Sequence, residues 1–305
     1  ASVSLREPRS VVVRAPAKVN LSLKVLGKRS DGYHDLDSLM FAVSLYDTLE
    51  IRASPGRRAS VSCAVRGPEK VEGGASNLAA RAAAAVLAAL GEPARVAIRL
   101  DKHIPFGAGL GGGSSDAAAV VRALPALLGR RLAPGLGLAI ARSLGADVPF
   151  FLAARPARAT GIGDHLAPLN RVPRGAMVIV VPPDRVNTAW AYRHALQGLT
   201  SGRGASRVRA LPRNIDAVEV WFFNDFQRGV EGALGSVREA RESLLELGAR
   251  AAVLSGSGSA VVGWFPDRSQ ARQAAGLCTG KGRVFVASIL RGAPRVTSSP
   301  EAGRG

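Results

Sequence analysis

Between Gly107 and Gly113 five of seven residues are glycine, and the stretch they belong to, PFGAGLGGGSSD from Pro105 to Asp116, runs straight into an alanine-rich segment. Glycines let backbone N–H groups turn inward and approach a ligand with no Cβ in the way. A helix opening just after them adds unpaired N–H groups and the positive end of its dipole, so the guest this chemistry suits is an anion, above all a phosphate. Ser114 and Ser115 add hydroxyls that suit phosphate, or Mg²⁺, which takes oxygen ligands and keeps several waters. The Walker pattern is excluded, because no Lys-Ser or Lys-Thr pair follows the glycines. Gly107, Gly109 and Gly112 satisfy GxGxxG, which leaves an NADP-dependent oxidoreductase as an alternative. Against it, Pro105 and polar residues part the glycines from the preceding strand, and Arg130 and Arg131 stand about 20 residues on, where a ribose-binding acid is needed.

Two further groupings carry chemistry. Lys18 and Asn20, two apart in APAKVNLSL, share one face of a strand, and beside Pro16 at a strand entry they point at a substrate or at solvent. Gly32, Tyr33 and His34 follow that strand. Asp147, in LGADVPFFL, sits just past a helix stop among Val148, Pro149, Phe150 and Phe151, and is either a helix cap or a functional carboxylate.

The elements that must position these residues follow from periodicity. Alternation predicts strands at 21–26, 48–53, 60–65 and 95–100. Helices are predicted over 76–90, from Ser76 or Asn77 to Gly91, over 114–128 closed by Gly129, and over 134–144 closed by Gly145. A second half then runs strand 176–182, helix 231–247, strands 251–254 and 260–265, helix 267–277 and strand 283–289, which suggests an α+β sandwich. The halves divide near 170, at NRVPRG, giving domains 1–170 and 171–291. The segment 201–214 reads as a surface insertion, and 292–305 as a disordered tail.

Composition narrows the class. With 305 residues, 47% of them hydrophobic, the chain is ample for two packed domains. No run approaches the roughly 18 apolar residues of a membrane span, and the opening ASVSLREPRS lacks the apolar centre of a secretory signal, so a cytoplasmic protein without a membrane partner is expected. Cys63 and Cys278 have no metal-site spacing and read as buried or idle thiols. The net charge of +18 suits a polyanion, but the arginines are scattered and aromatic residues make up only 5%, which argues against nucleic acid and for a solvated surface.

Several segments in register, PAKVNLSL, DGYHDLDSL, PFGAGLGGGSSDAAA, GADVPFFL, GIGD, NDF and SGSGSAVVGWF, resemble the GHMP kinases, named for galactokinase, homoserine, mevalonate and phosphomevalonate kinases; the resemblance spans roughly residues 12 to 290. It implies a two-domain α+β GHMP kinase fold, with a ribosomal protein S5 domain 2-like N-terminal domain and a ferredoxin-like α/β sandwich after it. It also implies a small-molecule kinase that uses ATP and Mg²⁺ and acts as a monomer or weak homodimer. The branch it most resembles phosphorylates the 2-hydroxyl of a cytidylylated methylerythritol; mevalonate and homoserine kinases are the nearer competitors.

By this resemblance Asp147 is the catalytic acid position and Lys18 the lysine that balances its charge and that of the transferring phosphoryl group. Pro105, Gly107, Gly109, Leu110, Gly111, Gly112, Gly113, Ser114 and Ser115 bind ATP, with Ser115 also a metal ligand. Asn20, Tyr33, His34, Ile162, Thr188 and Tyr192 bind the cytidylyl substrate, Tyr192 by stacking on the base. The loop SGSGS, 255–259, supports the phosphate turn. Gln227 in NDFQ and Thr160 in ATGIGD depart from the glutamates usual there.

Overall fold

The computed structural model describes residues 5, 7–68, 71–196 and 218–298. The expected surface insertion at 201–214 lies outside them. The chain opens with a long antiparallel hairpin, β1 (Arg9–Lys28) and β2 (His34–Pro55), whose register shifts between Pro16 and Ala17, Asn20 and Ser22, and Val25 and Gly27. Sequence alternation finds only 21–26 and 48–53 of it. Pro16 cannot donate to a ladder, and a bulge beside it lets the strand run through.

There follow β3 (Ser60–Arg66), α1 (Leu78–Leu90) and β4 (Ala94–Asp101), with β3 and β4 parallel. Asn77 caps α1, its Oδ1 accepting from the Ala79 N–H at 2.9 Å, and Gly91 closes it in the left-handed conformation. Next come α2 (Gly112–Leu127), α3 (Leu136–Leu144), α4 (Val148–Ala153), β5 (Ala157–Gly161) and β6 (His165–Pro168). The first sheet has the order β1-β2-β4-β3, with β5 paired to β2 and to β6.

The chain then passes to a second sheet, entered by β7 (Ala176–Val181). A short turn of helix, α5 (Thr188–Trp190), precedes a wide turn over Ala191–Ala195. The strand pair β8 (Phe223–Asn224) returns to lie parallel to β1. The helix expected at 231–247 is two, α6 (Gln227–Ala233) and α7 (Gly235–Glu246), broken at Leu234, whose backbone is extended. β9 (Ala251–Leu254), β10 (Val261–Phe265), α8 (Arg268–Leu277) and β11 (Arg283–Ala287) complete a sheet of order β11-β7-β10-β9.

Of the segment 292–305, expected to be disordered, residues 292–298 pack against the first sheet, and 299–305 lie outside the described residues. Ala293 N–H donates to Ala153 O at 2.8 Å, Arg122 donates to Pro294 O at 2.6 Å, and β12 (Thr297–Ser298) pairs with Val11 and Val12 of β1.

Alternation along β1 positions the site. Ala17, Val19 and Leu21 point into a core shared with Met177, Ile179, Val262 and Trp264 of the second sheet. Lys18, Asn20 and Ser22, on the other face, are buried polar residues.

Candidate active site

The phosphate turn is built by backbone. Helix α2 begins at Gly112, two residues before the sequence predicts, because Gly111 stands at the N-cap in the left-handed conformation (φ 69°) and no side chain caps the helix. Its first N–H groups are thereby left for a ligand. Gly111 is irreplaceable for a second reason: an added Cβ would lie 2.9 Å from Phe151 Cζ and 3.0 Å from Lys18 Cγ. At Gly109 a Cβ would run into the Ser255 carbonyl.

The turn is anchored from beneath by a trio that sequence reading does not find. Lys102 Nζ donates to Asp47 and, at 2.9 Å, to Asp116 Oδ2 in the first turns of α2. Asp47 Oδ1 accepts from the N–H groups of His103 (2.6 Å) and Ile104 (2.8 Å), where the turn begins. All three side chains are buried. Burial pushes the Asp116 carboxyl up to about 8, opposed by Lys102 and reinforced by the negative Asp47. The Lys102 amine is raised as well, the burial that disfavours its charge being outweighed by Asp116 and Asp47.

Lys18 lies where this turn meets β1. Its Nζ donates to Asn20 Oδ1 at 2.5 Å and stands 3.9 Å from Asp147 Oδ2. An ammonium only donates, so Asn20 must present its oxygen to Lys18 and its Nδ2 to Ser38 Oγ, at 2.7 Å. Ser38 in turn donates to Ser22 O at 2.6 Å. The Asn20 amide, 4% exposed, is thus engaged at both ends within the protein, which sets it to orient Lys18 at the cleft wall. Asp147 occupies the N-cap position of α4 but makes no capping bond, so the cap that the sequence allowed is not formed. Its side chain is 37% exposed and faces Lys18.

These groups open on a cleft of about 1160 Å³. Lys18, Asn20, Tyr33, His34, Gly109, Gly111, Ser114, Asp147, Ile162, Thr188 and Tyr192, far apart in the chain, all line it. Tyr192 lies 4.7 Å from the His34 ring and meets Phe226 edge-on at 4.8 Å. Its hydroxyl is pushed up to about 12 by burial and by the negative charge of Asp147. The His34 imidazole is held below its usual range by burial and by Lys28. Tyr33 stands at the rim, 60% exposed, and Thr188 Oγ1 is 3.1 Å from Ser257 Oγ.

Six expected ATP-binding residues, Pro105, Gly107, Leu110, Gly112, Gly113 and Ser115, do not line the cleft. Leu110 serves through its carbonyl, which accepts the Lys18 N–H at 2.9 Å. Ser115 is buried, with an Oγ that has no partner among the described residues.

The loop between β9 and β10 closes the site from the second sheet. Asn20 N–H donates to Ser255 Oγ (3.3 Å), which donates to Gly109 O (3.4 Å), and Ala260 N–H donates to Ala108 O (3.2 Å). Asn224 holds this loop by donating to Leu254 O (2.7 Å) and Gly256 O (2.8 Å). Gln227 Oε1 accepts from Leu254 N–H at 3.1 Å, a task that needs only a carbonyl oxygen, so glutamine fills it as glutamate would. Sequence reading missed Lys28, Ser38, Arg193 and Phe226 in the cleft wall, while Ser257 belongs to the expected loop 255–259.

The family described as GHMP kinases N terminal domain matches residues 77–155, and that described as GHMP kinases C terminal matches residues 212–276. With the glycine turn, the lysine–aspartate pair and the two sheets, these matches define a small-molecule kinase of the GHMP class. A 4-diphosphocytidyl-2-C-methyl-D-erythritol kinase of a Geobacter species is 44% identical over 263 residues, 86% of this chain and 91% of the relative. One of Citrifermentans bemidjiense is 42% identical over 277 residues, 91% and 97% of the two chains. The crystal structure of a 4-(cytidine 5'-diphospho)-2C-methyl-D-erythritol kinase matches with a TM-score of 0.78 and 38% identity, over 91% of this chain and 98% of that one. A homoserine kinase from Cytophaga hutchinsonii shares the fold (TM-score 0.72, over 94% and 97% of the chains) at 19% identity. The chain belongs to the family of 4-diphosphocytidyl-2-C-methyl-D-erythritol kinases.

Proposed function

We propose that this enzyme transfers the γ-phosphoryl group of ATP to the 2-hydroxyl of 4-(cytidine 5'-diphospho)-2-C-methyl-D-erythritol, in the non-mevalonate route to isoprenoid precursors. The observation that carries this is the Lys18–Asp147 pair, 3.9 Å apart, set between a glycine turn and a cleft whose wall holds His34 and Tyr192. Asp147 orients the 2-hydroxyl and takes its proton as the new O–P bond forms. The bond from the γ-phosphorus to the bridging oxygen breaks, and ADP leaves with that electron pair. Lys18, held by Asn20, balances the charge of the transferring group, and the open N–H groups of α2 hold the phosphates.

Mg²⁺ bound with ATP neutralises charge on the β- and γ-phosphates. Ser114, which lines the cleft in the first turn of α2, would supply the one protein oxygen that joins waters and phosphates around the ion, whereas Ser115 Oγ is buried away from the cleft. The same reading takes the enzyme as cytoplasmic, a monomer or weak homodimer, with small molecules and no nucleic acid as partners, and divided near residue 170. No helix among the described residues is long and apolar enough to cross a membrane.

The test is ADP release with the cytidylyl substrate, mevalonate and homoserine in turn. Turnover is expected with the first alone, and Asp147→Asn should lower kcat by about 100-fold or more. Near-native turnover by Asp147→Asn would overturn the catalytic assignment, and turnover of mevalonate or homoserine the substrate.

A further inference from the structure

The side chain of Asn224 stands between the two ends of the cleft. In β8 it is paired with Leu23 of β1, and the next residue fixes it there, the Asp225 N–H donating to Leu23 O at 3.0 Å and its Oδ2 accepting from the Val25 N–H at 2.7 Å. Asn224 is buried. Its Nδ2 donates to Leu254 O at 2.7 Å and to Gly256 O at 2.8 Å, and its Oδ1 accepts from the Phe226 N–H at 2.9 Å. A carbonyl only accepts and an N–H only donates, so this amide can stand only one way round. Each end leads to a different part of the site. On the Nδ2 side the loop is packed on the glycine turn: an added Cβ at Gly256 would lie 3.2 Å from Gly109 O, and Ser255 Oγ donates to that same carbonyl at 3.4 Å. On the Oδ1 side, Phe226 is buried and meets Tyr192 edge-on at 4.8 Å, and the Tyr192 ring lies 4.7 Å from that of His34.

An amide is one rigid plane, so the loop carbonyls and the Phe226 N–H cannot shift independently while all three bonds are kept. An acceptor that settles Tyr192 against Phe226 removes freedom that the loop would otherwise lose when phosphates occupy the turn, and the reverse holds by linkage. We infer that Asn224 is a positioning residue that joins the nucleotide turn to the acceptor wall, so that ATP and the cytidylyl acceptor each strengthen the binding of the other. This rests on the function proposed above.

The test measures, by calorimetry on the full chain, the binding of a non-hydrolysable ATP analogue with and without the acceptor. In the native enzyme each ligand should tighten the other about 5- to 10-fold, by the same factor in both directions. Asn224→Asp keeps the shape and the bond from the Phe226 N–H but sets an oxygen against the two loop carbonyls. It should bind the acceptor alone within about twofold of native, bind the analogue about 10-fold more weakly, and bring the coupling factor close to unity. Asn224→Ala, which releases both sides, should weaken both ligands and lose the coupling as well. Hydrogen exchange adds a readout that a merely structural role would not move: the acceptor alone should slow exchange across 254–260 in the native enzyme and leave it unchanged in Asn224→Asp. Independent binding by a native enzyme that turns the acceptor over, exchange across 254–260 that the acceptor does not slow there, or native coupling in Asn224→Asp would each overturn the inference and leave the function intact. The first two of these need no variant to fold. A native enzyme that does not turn over the acceptor would overturn the function and the inference together.

Discussion

Lys18 owes its direction to a chain of donors in which each step forces the next, from its own ammonium through Asn20 and Ser38 to the carbonyl of Ser22. A bond from a charged donor contributes about 1.5–3 kcal/mol, so Asn20→Ala is expected to cut kcat by about 10- to 100-fold, with a smaller change in either KM. Steady-state kinetics check this, and a native kcat would show that Lys18 needs no such guide. At this scale the sequence was informative where chemistry is local. The glycines of the turn and Asp147 among apolar neighbours announce themselves within a dozen residues. Ser38 and the trio of Asp47, Lys102 and Asp116 do not, since each looks like an ordinary surface residue until the sheet brings them together.

Among the elements, α2 matters most, because its open end is the phosphate cradle and its position is fixed by that buried trio. Asp116 titrates far above an unfolded carboxyl at about 3.9 because burial disfavours its charge. The folded state therefore keeps a proton that the unfolded chain has lost. Stability from this group is complete below the unfolded pKa and is lost as pH rises through about 8. Thermal melts should show Tm falling by about 5 °C or more between pH 5 and 9, and Asp116→Asn should flatten that slope. An equal slope in both proteins would contradict it. The elements themselves were read correctly where a cap or a glycine marks an end, as in α1, which runs from Asn77 to Gly91. They were read short where both faces of a strand are covered, as in β1, because period-two alternation fades when Lys18 and Asn20 are as buried as Val19. The pair β5 and β6, only five and four residues long, carried too little pattern to be seen.

For the whole molecule, the last described residues fasten the first sheet. Removing everything after Arg291 would strip the half-buried Arg122 guanidinium of its carbonyl at Pro294, take the partner of Ala153 O, and unpair the end of β1. A loss of about 2–4 kcal/mol is expected in denaturant unfolding; removing only 299–305 leaves those contacts in place. Composition misled here: glycine, proline and serine resemble a loose end, and nothing local tells that a sheet edge lies waiting. The other long-range feature is the loop 255–259, which reaches across from the second sheet to Gly109 and whose Gly256 takes the left-handed conformation (φ 58°), with an added Cβ there lying 3.2 Å from Gly109 O. Its consequence is genealogical. A hybrid joining the first 175 residues of this chain to the remainder of a cousin inherits a working phosphate turn only if the cousin brings a glycine at position 256 and an asparagine at 224 to hold it. Exchange of halves between lineages is therefore restricted at those few positions, whatever the rest of the second sheet has become.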